Sequence, residues 1–66
     1  MKGGLMMLSK LKLTRLQLGL KQVEVANKLR ISKGYLSGIE NGAVNLTEDM
    51  LWRLANVYGV PAKKLM

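Results

Sequence analysis

Apolar residues recur along this chain at intervals of three and four positions, which is the spacing of an amphipathic α-helix. In the first half of the chain, this spacing predicts one helix over about residues 8–18 and a second over about residues 22–29. Gly19 lies between the two, and glycine suits the left-handed backbone position at which a helix ends. The apolar face of the second helix is predicted to consist of Val25, Ala26 and Leu29.

Polar residues mark the boundaries of two further helices. Ser32 predicts the start of a third helix over about residues 33–40, because its hydroxyl can accept a hydrogen bond from a free N–H of the first turn. Asn41 and Gly42 follow, and both tolerate the positive φ that stops a helix. Thr47 is predicted to cap a fourth helix in the same way. The two residues that follow it are acidic, which suits the positive end of the helix dipole.

The remaining residues complete an all-α chain. Gly59 ends the fourth helix, and Pro61 fits the first position of a last short helix that carries Leu65. The buried stripe of the fourth helix is predicted to consist of Leu51, Leu54, Ala55 and Tyr58. No segment shows sustained alternation of apolar and polar residues, so we predict a compact all-α fold of five short helices.

The length of 66 residues allows one small domain. Gly3 and Gly4 separate the first residues from the rest, which predicts a lead-in over 1–7 and one domain over 8–66. The longest uncharged apolar stretch is far below the roughly 18 residues of a membrane span, so we expect no membrane segment. The chain contains no Cys, which is compatible with the cytoplasmic location that we expect.

The composition leaves little catalytic chemistry. Without His and Cys, the usual zinc sites and most general bases and activated nucleophiles are missing. The four acidic residues are too few and too scattered to indicate a hydrolase. We therefore expect no enzyme, no cofactor and no metal site.

The charge of the chain is strongly positive and unevenly distributed. Eleven Lys and Arg residues against four acids give a net charge of +7. Residues 1–33 hold eight of the basic residues and one acid, Glu24, whereas residues 34–66 hold three of each kind. This asymmetry is typical of a domain with one side facing a polyanion, and a generic basic surface is the alternative.

The second and third predicted helices are short and joined by about three residues, which is the pattern of a helix-turn-helix unit. The short connection forces a steep crossing, so that the third helix protrudes while the second supports it. A protruding helix fits the major groove of DNA, which is about 12 Å wide.

Three segments carry a resemblance to a known family. They are LGLKQVEVANKLRIS over residues 18–32, YLSGIENG over residues 35–42 and LANVYGV over residues 54–60. Their ordered set resembles the helix-turn-helix domains of phage repressors and Cro proteins, also called the xenobiotic-response-element family. The resemblance covers about residues 9–66. It implies a lambda-repressor-like fold that binds double-stranded DNA as a homodimer and regulates transcription.

The resemblance also implies which positions meet DNA. Gln22 stands where the family places a side chain and backbone N–H groups against a phosphate, as helix termini favour. The third helix becomes the recognition helix, and Asn41 lies near a second phosphate. The candidate DNA-binding residues are Lys21, Gln22, Ser32, Lys33, Gly34, Tyr35, Ser37, Gly38 and Asn41.

A structural ion pair between Arg15 and Glu40 is a further implication of the resemblance, since the two match positions that often pair in the family. The residues lend some independent support. Arg15 lies on the apolar face of the first helix, where an unpaired charge would be costly to bury. The alternative is that both side chains reach solvent.

Three residues depart from the family pattern. Family members often carry Gly where Arg30 stands, and a left-handed Arg costs roughly 1 kcal/mol while adding charge at the turn. Lys21 replaces the usual Ser or Thr, so the second helix lacks a side-chain cap. Ala43 replaces a basic residue that often follows the Asn-Gly pair, which weakens the proposed second phosphate site.

Gly34 and Gly38 lie four apart, where specific DNA readers carry Gln, Asn or Arg. One interpretation is a close approach of the helix to the groove with few hydrogen bonds. The other is drift of positions that read nothing. In both cases Lys33 and Ser37, with Ser32 and Tyr35, are left to supply polar contacts, and Lys33 to guanine is the expected direct one. We predict modest sequence discrimination and a large electrostatic share of affinity.

The apolar end of the chain predicts a dimer. The candidate dimer residues are Val57, Tyr58, Val60 and Leu65. Trp52 is predicted to be partly buried by packing, with a contact to a partner subunit as the alternative. Leu13 and Leu16 fall off the main stripe of the first helix, and are exposed or meet residues 5–8.

These patterns favour a homodimeric DNA-binding regulator, most simply a repressor. A close variant is the antitoxin of a toxin–antitoxin pair, and a protein partner such as a toxin or polymerase is consistent with either. One rival is a protein-interaction module that keeps the fold without binding DNA. Another is a cationic amphipathic membrane binder, which separate helix caps and a shared core make improbable.

Overall fold

The computed structural model describes residues 9–66, which form four α-helices closed by one short 3-10 helix. The elements are α1 (Lys10–Gln17), α2 (Gln22–Leu29), α3 (Lys33–Asn41), α4 (Glu48–Tyr58) and the 3-10 helix (Ala62–Leu65). Strands are absent from this described part, so the predicted all-α class is confirmed. The predicted fifth helix is a single 3-10 turn, which Pro61 precedes rather than opens. The predicted lead-in over 1–7 lies outside the described residues.

Side-chain caps begin three of the four α-helices. Ser32 Oγ accepts a hydrogen bond from the Tyr35 N–H at 3.0 Å, and Thr47 Oγ1 accepts one from Met50 at 3.1 Å, as predicted. α2 begins without a cap from Lys21, whose ammonium can only donate. Glu24 compensates in part, because its Oε1 accepts the backbone N–H of Lys21 at 2.7 Å.

Every helix contributes to one apolar core. Val25, Leu36 and Leu54 are fully buried at its centre. The buried hydrophobic residues are Leu11, Val25, Ala26, Leu29, Leu36, Ile39, Met50, Leu54, Ala55, Tyr58, Ala62 and Leu65. The sequence placed Leu51 in this core, but Met50 takes the buried position and Leu51 is half-buried.

Two of the predicted dimer residues belong to the core. Tyr58 is 5% exposed and Leu65 is 4% exposed, so neither side chain is available to a partner subunit. Val57 and Val60 are half-buried against the same core. The prediction for Trp52 is also corrected, since its side chain is 60% exposed rather than packed into the fold.

Leu13 and Leu16 are exposed on α1. Their alternative contact, residues 5–8, lies outside the described part of the chain. None of the helices between residues 9 and 66 has the length and apolar character needed to span a membrane.

The Tyr58 hydroxyl is a buried polar group that has no hydrogen-bond partner among residues 9–66. Burial, and after it the negative charge of Glu40, raises the pKa of Tyr58 to about 12. The hydroxyl is neutral at physiological pH. A buried polar group that lacks a hydrogen-bond partner, as this one does within residues 9–66, costs about 1–3 kcal/mol.

We predict that Tyr58→Phe raises the free energy of unfolding by about 1 kcal/mol, because it removes this unsatisfied hydroxyl and keeps the ring. Urea denaturation followed by circular dichroism measures the change. Tyr35→Phe is the matched control, since Tyr35 is 40% exposed and its hydroxyl can be hydrated. A Tyr58→Phe protein less stable than the parent would contradict the prediction.

Candidate nucleic-acid interface

The turn between α2 and α3 is made by Arg30, Ile31 and Ser32. Arg30 adopts the left-handed conformation, with φ 60° and ψ 42°, and closes α2. The backbone N–H of Ile31 then donates to the carbonyl of Ala26 at 3.0 Å, and the Ile31 side chain packs against the core. This tight turn leads directly into the Ser32 cap of α3.

α3 has a buried side and a solvent side. Its buried side consists of Leu36, Ile39 and Glu40. The other side is open: Ser32, Lys33, Gly34 and Tyr35 are exposed, while Ser37 and Gly38 are half-buried. The first turn of α3, which carries most of the predicted groove contacts, is therefore presented to solvent.

A shallow open depression of about 680 Å³ lies beside α3, against α1 and the start of α2. It brings together five of the candidate DNA-binding residues, namely Lys21, Gln22, Lys33, Ser37 and Asn41. Lys12 of α1 also lines it, although it was not among the predicted contacts. The sequence signal that could have identified Lys12 was its position three residues before Arg15 on the same helix. The lining of this depression contains no acidic side chain.

A buried ion pair lies beneath this depression. Arg15 Nε donates to Glu40 Oε2 at 2.8 Å, and Arg15 Nη2 donates to Glu40 Oε1 at 3.2 Å. Arg15 is 6% exposed and Glu40 is 2% exposed, so neither side chain reaches solvent as the alternative required. The hydrogen bond to the Glu40 carboxylate raises the pKa of Arg15 above its usual value.

The same ion pair holds the start of α2. Gln22 Nε2 donates to Glu40 Oε1 at 3.0 Å, and Arg15 Nη1 donates to the carbonyl of Leu20 at 3.0 Å. An amide nitrogen carries two N–H groups, so Gln22 keeps one for a further acceptor. The helix end that the resemblance assigns to a phosphate is thus fixed by two charge-assisted contacts.

The two glycines of α3 have different surroundings. A Cβ atom at Gly34 would meet nothing within 4 Å, whereas one at Gly38 would lie 2.7 Å from Cγ2 of Val44. The backbone N–H groups of Ala43 and Val44 also donate to the Gly38 carbonyl, at 2.9 and 3.0 Å. Gly38 is therefore explained by the loop packed against it. This is a reason that neither of the two sequence interpretations offered, and Gly34 remains open to both.

Asn41 is the last residue of α3 rather than the first residue after it. Its Nδ2 lies 3.4 Å from Ser37 Oγ, at the long end of the hydrogen-bond range. Both side chains line the depression, so this contact joins two of the polar candidates.

Two short helices, a tight turn and an exposed second helix define this domain as a helix-turn-helix unit. A family model described as helix-turn-helix matches residues 11–65, which is most of the chain. The chain belongs to this lambda repressor/Cro-like family of DNA-binding regulators, as the sequence resemblance predicted. Neither the curated proteins nor the solved structures contain a significant match.

Replacement of each α3 glycine by alanine tests the packing difference between them. We predict that Gly34→Ala raises the free energy of unfolding by about 0.5 kcal/mol, because alanine has the higher helix propensity and nothing obstructs its Cβ. Gly38→Ala is the matched variant and should lower stability, because the Val44 side chain must move. Thermal unfolding of both variants measures the difference. A Gly38→Ala gain equal to that of Gly34→Ala would show that the Val44 contact imposes no constraint.

Proposed function

We propose that this protein is a transcriptional regulator that binds double-stranded operator DNA with α3 in the major groove. It represses by occupying promoter sequence, and it acts in the cytoplasm, where operator DNA is accessible to a protein of this kind. The supporting observation is the depression beside the exposed side of α3, which Lys12, Lys21 and Lys33 line without any acidic residue. The membership of the chain in a DNA-binding family supports the same assignment.

The candidate residues divide into two groups by their positions. Lys21, Gln22 and Asn41 lie around the depression at the ends of α2 and α3, where backbone phosphates would be met. Lys33 is exposed in the first turn of α3, where recognition helices place their base contacts, and it pairs with guanine. Ser32, Tyr35 and Ser37 supply further polar contacts.

The proposed binding depends more on charge than on base reading. Gly34 offers no side chain to a base edge, and Gly38 lies under the loop that follows α3. Few side chains remain to form bidentate contacts, each of which contributes about 1–3 kcal/mol of discrimination. Phosphate neutralisation by lysines therefore supplies most of the affinity.

A separate surface, which is apolar, supports a homodimer. Trp52 is 60% exposed and Met66 is 65% exposed. Both line a groove between α4 and the 3-10 helix, together with Leu51, Pro61 and Ala62. Val60 lines a neighbouring groove on the other side of Trp52. Exposed aromatic and apolar side chains grouped in this way are typical of protein interfaces.

The charges around the Trp52 groove suit a second copy of this chain. Glu48 and Lys63 both line it, with opposite signs. In a two-fold dimer the same patch meets itself, so Glu48 of one copy can face Lys63 of the other. Two recognition helices related in this way would read half-sites about 34–36 Å apart.

DNA binding is tested by measuring affinity across a salt series, against fragments selected from random duplex sequence. We predict a steep loss of affinity with rising salt, with a slope of about −0.9 for each phosphate neutralised. Lys33→Ala should also relax the sequence preference, whereas Lys64→Ala on the 3-10 helix is the control that should leave the preference unchanged. Affinity that hardly varies with salt would refute the proposal, and uniform weakening by Lys33→Ala would make Lys33 a phosphate contact.

The dimer is tested by sedimentation of the parent chain and of two single-substitution variants. We predict that Trp52→Ala shifts the protein from dimer to monomer without altering its helical circular dichroism, because the indole is mostly outside the fold. Leu16→Ala is the control, since Leu16 is 50% exposed on α1, away from this groove. A parent protein that is monomeric at every concentration would contradict the dimer.

The antitoxin alternative uses the same DNA-facing surface. Its toxin would occupy the Trp52 groove in place of a second copy, as would the partner of an interaction module. A monomeric parent that still binds DNA with steep salt dependence would favour the antitoxin, whereas a parent without DNA binding would favour the interaction module.

A further inference from the structure

Arg30 is the one residue other than glycine with a positive φ between residues 9 and 66. The other three positive-φ positions, which close α1, α3 and α4, are all glycines: Gly19, Gly42 and Gly59. An L-amino acid with a Cβ is strained in this conformation, and glycine is not. A glycine at position 30 would therefore make the same turn at a lower conformational cost.

No contact of the Arg30 side chain within residues 9–66 offsets the cost of this strained backbone. It is exposed, and its guanidinium forms neither a hydrogen bond nor a salt bridge with any residue in the described range 9–66. Strain that the fold does not need is a reason to look for a functional role of the residue.

The turn that carries Arg30 is positively charged. Arg53 of α4 reaches it, because its Nη2 donates to the carbonyl of Leu29 at 3.0 Å. Lys28 precedes the turn and Lys33 follows it, and both are exposed. The nearest acid along α2, Glu24, is bound at the opposite end of that helix to the N–H of Lys21.

The position of Arg30 in the chain puts it near the rim of the groove in the proposed complex. It lies two residues before Ser32, the N-cap of α3. Recognition helices place their N-terminal residues at base edges, so the residues just before them pass the sugar–phosphate backbone that borders the groove. Arginine is the side chain best suited to a phosphate at such a place.

We propose that Arg30 binds a phosphate of the DNA backbone beside the recognition helix, with Arg53 adding a second positive charge to the same turn. This contact rests on the proposed DNA binding and is additional to the positions assigned from the family resemblance. It explains why a strained arginine stands at a turn that glycine would make more easily.

The test uses Arg30→Gly, for which the fold and the contact predict opposite effects. The melting temperature should rise by about 4 °C, because glycine relieves the left-handed strain. The affinity for duplex DNA should fall on the order of tenfold. The slope of log affinity against log salt concentration should become shallower by about 0.9, which is the contribution of one phosphate contact. A stability defect cannot imitate this result, since the variant is the more stable protein.

Two further variants complete the experiment. Arg30→Lys keeps the charge and should retain the salt slope, while Lys64→Ala removes a charge from the distant 3-10 helix and should reduce the slope less than Arg30→Gly. An unchanged slope in Arg30→Gly, or a lower melting temperature, would overturn the proposal. An unchanged slope would favour an acidic protein surface, rather than DNA, as the binding partner of Arg30. A parent protein without salt-dependent binding would instead refute the proposed function itself.

Discussion

The Glu40 carboxylate is the group on which the half of the domain with the candidate interface depends. It accepts two hydrogen bonds from Arg15 of α1 and one from Gln22 of α2, while it is itself part of α3. One buried carboxylate thus sets the relative positions of three helices. Removal of one partner from such a buried pair costs about 3–5 kcal/mol, a large share of the stability of a domain of this size. Integrity of the fold and geometry of the candidate interface therefore share one cause.

The domain keeps its two surfaces apart. Lysines and polar side chains surround the depression beside α3, whereas Trp52 and Met66 stand on a groove made by α4 and the 3-10 helix. The core between them is formed by residues from all the helices. In the proposed homodimer, DNA contacts and subunit contacts would therefore lie on different surfaces of the domain.

Features that depend on neighbouring residues were predictable from the sequence. The Ser32 and Thr47 caps act within three residues, and the limits of α2 were predicted as the structure has them. Features that depend on tertiary packing were not predictable. Adjacent residues of a helix differ by about 100° in direction, so the choice between Met50 and Leu51 for the core depends on where the next helix lies. The exposure of Trp52 and the burial of Leu65 have the same origin.

Part of the candidate site came from the resemblance and part only from the structure. The pairing of Arg15 with Glu40 was implied by the resemblance, whereas the Gln22 contact to the same carboxylate depends on the packing of α2 against α3. Lys12 lines the depression together with residues of α2 and α3, and this grouping depends on how the helices pack. The reason for Gly38 lies in a loop residue, Val44, whose position depends on the path of the chain after α3.

The open space at Gly34 has an evolutionary consequence. Single-nucleotide changes in a glycine codon lead to residues such as Ser, Asp and Arg, and no neighbouring atom of the described fold obstructs a new Cβ there. If α3 reads bases as proposed, a lineage carrying this domain can therefore acquire a new base preference in one mutational step without repacking its interior. In the proposed complex, operator choice is in this sense an easily altered trait, separate from the inherited architecture that supports it.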